Sequence, residues 1–230
     1  MPDGILALTF DCYGTLIDWE TGLLTAFTTL LGPARVRDHR DEIIAAYARQ
    51  ERAIQVGPYR LYRVVLEEVA GRVAMEFGVA ITPVQRTRFA NAIADWPAFA
   101  DTAPSLQRLQ RKYKLAIVSN VDDDLFAGTL PRLGIEPDAV VTARQVRSYK
   151  PARAHFDEVL KRLGLTPDRV LHVAESRFHD IEPAAKLGFR TAWIDRHHAH
   201  PDRQSASGSG DGLADITAPS LEALADELDA

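Results

Sequence analysis

Cysteine is nearly absent. Cys12 is the only one among 230 residues, so no disulfide can form within the chain, and this usage suits a reducing compartment. Positive charge is short as well. Twenty-seven Lys and Arg against 32 Asp and Glu leave a net charge of -5, without the basic excess expected of a nucleic-acid-binding surface. No stretch approaches the ~18 apolar residues of a membrane span. The opening Met1-Pro2-Asp3-Gly4 lacks the basic and then apolar pattern of a signal peptide. These absences lead to the expectation of a soluble cytoplasmic protein with no nucleic-acid and no membrane partner. No internal repeat is visible.

What is present starts with a short uncharged run, Ile5-Leu6-Ala7-Leu8-Thr9-Phe10, followed by Asp11-Cys12-Tyr13-Gly14-Thr15-Leu16-Ile17-Asp18. An apolar run of this length ended by a turn glycine reads as a buried strand. Asp11 therefore sits at a strand end, where open α/β sheets place their ligands, and it is read as a nucleophile. Residues 18–97 differ in texture. Leu23, Leu24, Phe27, Leu30 and Leu31 recur at helical spacing, as do Ile43, Ile44, Tyr47 and Ile54, then Tyr62, Val65, Leu66, Val69 and Val73, then Phe89, Ile93 and Trp96. With breaks at Gly32-Pro33, Gly57-Pro58 and Thr82-Pro83, this predicts four or five helices and no strand.

From residue 98 strands alternate with helices. Leu115-Ala116-Ile117-Val118, Ala139-Val140-Val141, Val170-Leu171-His172-Val173 and Thr191-Ala192-Trp193-Ile194 read as buried strands, and Asp215-Ile216-Thr217 as an edge strand. Helices are expected over 104–112, 122–133, 153–163, 180–187 and 221–228, with Gly134, Gly164 and Gly188 as stops and Ser220 as an N-cap. Residues 205–212 are Gly/Ser-rich and read as a flexible loop. The alternation predicts an α/β protein: a Rossmann-like, doubly wound parallel sheet core from 1–17 and 98–230, with an inserted all-helical cap at 18–97. Asp11, Ser119-Asn120, Lys150 and the segment from Glu175 to Asp180 should then meet at the carboxyl edge of one sheet.

The motifs DCYGTLID, LAIVSN, SYKP and HVAESRFHDIEPAAKLGF, in that order, resemble those of the haloacid dehalogenase superfamily. The resemblance spans almost the whole chain, and the helical stretch after the first motif is similar to the family's helical cap. It implies Asp11 as the nucleophile of an acyl-enzyme ester. Thr15 and Ser119 would hydrogen-bond the nucleophile or the group it attacks. Lys150 would orient the carboxylate, and Asp180 would position Lys150, activate water or ligate a metal. Asn120 would contact the leaving group. A small anionic substrate is implied, and a homodimer is compatible with the subclass.

The residue two after the nucleophile divides the reactions of this superfamily. Its phosphatases carry a second Asp there, which protonates the leaving alkoxide. Tyr13 resembles the form in L-2-haloacid dehalogenases, whose halide leaving group needs no proton and no cofactor. Tyr13 is accordingly placed against the substrate. Other positions depart from that pattern. Phe156 stands where a tyrosine is usual, and Glu175 and Arg177 stand where Ser and Asn are usual. Asp11, Glu175 and Asp180 offer the oxygen ligands Mg²⁺ prefers, which keeps a Mg²⁺-dependent phosphatase as the alternative, beside a related protein without turnover. The cap cation for the substrate carboxylate is sought at Arg49 or Arg52, with Arg60 as an outside candidate. Trp19, Tyr59 and Trp96 are read first as core of the helical segment and second as walls of the site. His172 reads as a packed core residue, and His197, His198 and His200 as solvated surface.

Overall fold

Parallel pairing joins six strands, β1 (Ala7–Phe10), β2 (Lys114–Ser119), β3 (Ala139–Thr142), β4 (Val170–Ala174), β5 (Arg190–Ile194) and β6 (Ile216–Ala218), in the order β3-β2-β1-β4-β5-β6. The structure is a computed structural model and describes residues 4–196 and 214–230. The expected Gly/Ser-rich loop and His197, His198 and His200 lie outside them. The first strand is thus central, and the order reverses beside it, as in doubly wound sheets. Register sets Phe10 beside Ile117 on one side and Val173 on the other, so Asp11 leaves the sheet between the ends of β2 and β4.

Both sheet faces are covered, and the side-chain alternation of β1 shows how. Leu8 and Phe10 join one apolar cluster with Leu106, Leu109, Leu221 and Leu224, from helices α6 (Thr102–Leu109) and α11 (Leu221–Glu227). Ala7 joins the other, with Phe156, Val159 and Leu163 of α9 (Ala154–Leu163) and Ala184 of α10 (Glu182–Lys186). The first cluster continues without a break into the helical segment through Leu23, Phe27, Ile43 and Leu66. That segment comprises α1 (Trp19–Leu31), α2 (Pro33–Asp38), α3 (Arg40–Gln55), α4 (Tyr62–Glu76), α5 (Pro83–Asn91) and a 3₁₀ turn at Ala92–Asp95. Local chemistry sets its starts. The Asp18 carboxylate accepts from Thr21 N ahead of α1, and Thr82 and Gln85 form a reciprocal capping box ahead of α5. Pro33 and Pro83 each occupy a first turn, where no N–H is needed. No helix among the described residues is long and apolar enough to cross a membrane.

The helix expected at 122–133 is divided into α7 (Asp123–Thr129) and a 3₁₀ turn at Leu130–Leu133. Pro131 lies in that turn and cannot donate the next helical hydrogen bond. Gly134 closes it with φ 68°. A short helix not anticipated from the sequence, α8 (Ala143–Val146), starts where Thr142 accepts from Gln145 N. The helix expected at 180–187 begins earlier, as one π-helical turn at Arg177–Ile181 capped by Ser176, before α10. Wider turns of this kind concentrate at functional sites, and this one carries Asp180.

Candidate active site

Asp11 follows β1 directly, and its backbone N–H donates to Val173 O at 3.1 Å. The turn after it requires Gly14, whose φ is 102° and which a side chain would adopt only under strain. That turn brings Thr15 back beneath Asp11. Its hydroxyl donates to Asp11 Oδ2 at 2.8 Å and accepts the Glu175 backbone N–H at 3.0 Å. One threonine thereby ties the end of β1 to the end of β4.

Lys150 holds the other oxygen. Its side chain is almost wholly buried, and Nζ donates to Asp11 Oδ1 at 2.8 Å, Asp180 Oδ1 at 2.6 Å and Val118 O at 2.9 Å. All three ammonium hydrogens are used. Asn120 fixes the lysine backbone from both sides: its Oδ1 accepts Lys150 N at 2.7 Å and its Nδ2 donates to Lys150 O at 3.3 Å. Asp180 Oδ1 also meets His172 Nε2 at 2.9 Å, and His172 Nδ1 lies 2.8 Å from Thr9 Oγ1. A carboxylate cannot donate, so Nε2 carries the proton and, in the neutral ring, Nδ1 accepts from the Thr9 hydroxyl. His172 is buried in the core as expected from the sequence, yet it also braces Asp180, a role its apolar strand neighbours did not reveal.

The charges follow from these contacts. Burial raises the Asp11 carboxyl, Lys150 pulls it back, and nearby Asp180 adds to the rise, leaving it above its ordinary value. Burial would raise Asp180 too, but Lys150 and His172 outweigh it and hold that carboxyl down at about 2. Burial disfavours the Lys150 ammonium, and the two carboxylates more than restore it. The result is an ionised Asp180, a cationic Lys150 and a poorly solvated Asp11, the combination a carboxylate nucleophile requires.

A cavity of about 110 Å³ opens over Asp11. A single water needs on the order of 10–15 Å³, so this one admits a small molecule. Ser119, Asn120, Lys150, Glu175 and Asp180 line it from the sheet edge, with Tyr13, Trp19 and Trp96 as walls. Ser119 Oγ is buried without a hydrogen-bond partner among the described residues. The Tyr13 hydroxyl is engaged with Thr129 Oγ1 at 2.8 Å, and burial pushes it well above the ordinary tyrosine range. Tyr13 therefore lines the cavity with its hydroxyl tied to Thr129. Tyr59, the third expected wall, stacks on Tyr149 at 5.4 Å instead.

The roof is one stripe of α3: Tyr47, Ala48, Glu51, Arg52 and Gln55, the i, i+4, i+8 face of a helix. Arg52 lies on it; Arg49 does not. Arg49 is exposed and paired with Glu76 at 2.5 Å, so the expectation that it reaches the site is corrected by the helical period. Arg60 is likewise paired with Glu68. The sequence reading missed Glu51 and Gln55, which the same stripe would have revealed. The ligand trio Asp11, Glu175 and Asp180 is not gathered as a metal site. Among the described residues no group of three His, Cys, Asp or Glu side chains is arranged to hold a metal ion, and the Lys150 ammonium bridges the first and last of the trio.

Comparison with known proteins agrees with this geometry. The family model described as "Hydrolase: haloacid dehalogenase-like hydrolase" matches residues 5–188. The chain is 25% identical over 219 residues to (S)-2-haloacid dehalogenase 4A of Burkholderia cepacia, covering 90% of each. A solved L-2-haloacid dehalogenase of Xanthobacter autotrophicus, with chloropropionic acid covalently bound, superposes with a TM-score of 0.84 at 22% identity, over 98% of this chain and 99% of that one. A glyceraldehyde 3-phosphate phosphatase of Methanothermobacter thermautotrophicus is 30% identical over 115 residues, about half of each chain. The chain belongs to the haloacid dehalogenase-like hydrolases.

Proposed function

We propose that this hydrolase removes halide from a short 2-haloacid through an ester on Asp11. The observation that carries the reading is Tyr13. The position two after the nucleophile holds no carboxylic acid but a hydroxyl engaged with Thr129, which burial makes a poorer proton donor than a free tyrosine and a poor replacement for a carboxylic general acid. Halide leaves with its electron pair and needs no proton. In the first step the Asp11 carboxylate attacks C2, the C–halogen bond breaks and the configuration inverts. In the second, water attacks the Asp11 carboxyl carbon and the ester C–O bond to the substrate oxygen breaks; one water proton ends on that oxygen as the 2-hydroxy acid leaves, and the other is released to solvent as the carboxylate is restored. Lys150 and Thr15 hold Asp11 aligned for both steps, with Asp180 positioning Lys150. Ser119 faces the reacting group, Asn120 fixes the Lys150 backbone, and Arg52 supplies the cation for the substrate carboxylate. Residues 18–97 act as the cap over a core of 1–17 and 98–230, and the reaction is cytoplasmic and needs no cofactor.

Glu175 favours a second reading. It lies at the turn of the opening motif, its Oε2 3.5 Å from where a Cβ on Gly14 would stand, and phosphatases of this superfamily use acids of this segment with Mg²⁺. One assay pair separates the two: halide release from 2-chloropropionate and phosphate release from an aryl phosphate, each with and without EDTA. Halide release that resists EDTA and is abolished by Asp11→Asn supports the dehalogenase. Phosphate release abolished by EDTA, with no halide, overturns it.

A further inference from the structure

Glu51 is a carboxylate that helix α3 turns into the cavity, and the dehalogenase reading assigns it no task. It is held for one. Tyr47 Oη donates to its Oε1 at 3.2 Å, Tyr62 Oη donates to the same oxygen at 2.5 Å, and the two hydroxyls lie 3.1 Å apart. Tyr47 is braced in turn by the Trp19 ring at 5.8 Å. Two tyrosine hydroxyls thus fix one carboxyl oxygen, while Oε2 has no partner among the described residues and the side chain lines the cavity. Burial raises the carboxyl above its ordinary value, with the tyrosine hydroxyls pulling it down.

An alkyl substrate closing over this group would strip water from Oε2 and return nothing, the least favourable case for a polar atom. A hydroxyl satisfies it in either protonation state, donating to a carboxylate or accepting from a carboxylic acid. A second carboxylate would be repelled by the ionised form, and the adjacent Arg52 already provides the cation for the acid end of a substrate. We propose, on the basis of the dehalogenase reading, that Glu51 is a specificity-determining residue that selects 2-haloacids carrying a hydroxyl group beyond C2. Sites built to bond a substrate hydroxyl discriminate strongly against the analogue that lacks it.

Binding and turnover test this separately. Trp19 and Trp96 line the cavity, so quenching of tryptophan fluorescence reads occupancy by propionate and by 3-hydroxypropionate. The unsubstituted enzyme should bind the hydroxy acid about tenfold more tightly. Glu51→Leu should bring the two within about twofold, and Glu51→Gln should narrow the preference by about threefold. Equal binding by the unsubstituted enzyme, or a preference that survives both substitutions, overturns the assignment. If the leucine variant does not fold, an undiminished preference in Glu51→Gln overturns it alone. In turnover, kcat/KM for halide release should favour 2-chloro-3-hydroxypropionate over 2-chloropropionate by a similar factor. Halide release from neither, with the binding preference intact, defeats the dehalogenase reading and leaves the Glu51 assignment standing.

Discussion

His172 Nε2 lies 2.9 Å from Asp180 Oδ1, the same oxygen that receives Lys150 Nζ at 2.6 Å. A residue from the middle of β4 thereby controls the partner of the nucleophile's partner. The chain of contacts runs Thr9, His172, Asp180, Lys150, Asp11, Thr15 and back to the end of β4, and it closes between β1 and β4. His172→Leu keeps both ion pairs of Lys150 but removes a donor from a buried carboxylate. It should cost about 1–3 kcal/mol of stability and lower kcat about tenfold with KM little changed. Urea unfolding and steady-state halide release check both. An equal loss in KM would place His172 against the substrate instead.

The two carboxylates bonded to Lys150 should respond to neutralisation in opposite directions. Asp180 is held at about 2, below its ordinary 3.8. It contributes stability that is present above the unfolded value and lost as pH falls from about 4 through about 2, on the order of 2 kcal/mol. Asp11 is raised, so its ionised form opposes folding at neutral pH. Asp180→Asn should therefore lower the unfolding free energy at pH 7 by about 2–4 kcal/mol, while Asp11→Asn should leave it unchanged or raise it slightly. Both should abolish turnover. Denaturant midpoints at pH 7 decide the matter; equal destabilisation would mean that the Lys150 pair with Asp11 stabilises the fold as much as the pair with Asp180.

Much of this arrangement was legible in the chain, for physical reasons. Asp11 and Ser119 close apolar runs, Lys150 and Asp180 lie in the polar segments that follow β3 and β4, and parallel strands carry such ends to one edge, so their convergence needed no knowledge of distances. Arg49 and Glu51 show where that ended. Both belong to a helix whose apolar residues face two partners, and periodicity alone does not say which flank borders a cavity. His172 was hidden because its strand is buried on both faces, so the residue was indistinguishable from packing. The π-helical turn at Arg177–Ile181 leaves no mark in composition; a regular helix from 180 was the simplest expectation.

Packing between the opening helix and the cavity wall gives a third test. A Cβ on Gly22 would stand 2.2 Å from Trp96 Cγ, too close for any contact, and Trp96 is both buried and part of the wall over Asp11. Tyr13 meets the same ring edge-on at 5.8 Å. Gly22→Ala therefore has to move the indole, and overpacking of this kind costs about 1–3 kcal/mol. The displaced ring should narrow the cavity, raising KM several-fold and shifting tryptophan emission. An unshifted spectrum with unchanged KM would show that α1 moves as a body instead.

Two histidines near the site should make the protein acid-sensitive well above the range in which Asp180 titrates. His155 is fully buried, and burial, with Lys150 adding to it, lowers it to about 3. His179 lines the cavity and is lowered to about 4, chiefly by burial. Each is neutral in the folded protein and takes up a proton on unfolding below about pH 6.5. Stability should therefore fall as pH drops from about 6.5 towards 4, by at most about 1.4 kcal/mol per pH unit for each ring. His179 is partly exposed to the cavity and should contribute less than His155. A combined loss of about 3 kcal/mol between pH 6.5 and 4.5 is expected. Replacing His155 with a neutral residue of similar volume should flatten that slope by about half, whatever its effect at pH 7. Over the same interval the NMR signals of both rings should stay at their neutral positions in the folded protein. A ring that titrates near 6.5 would show that its site is open to water, and the acid sensitivity would then have to come from the Asp180 pair at lower pH.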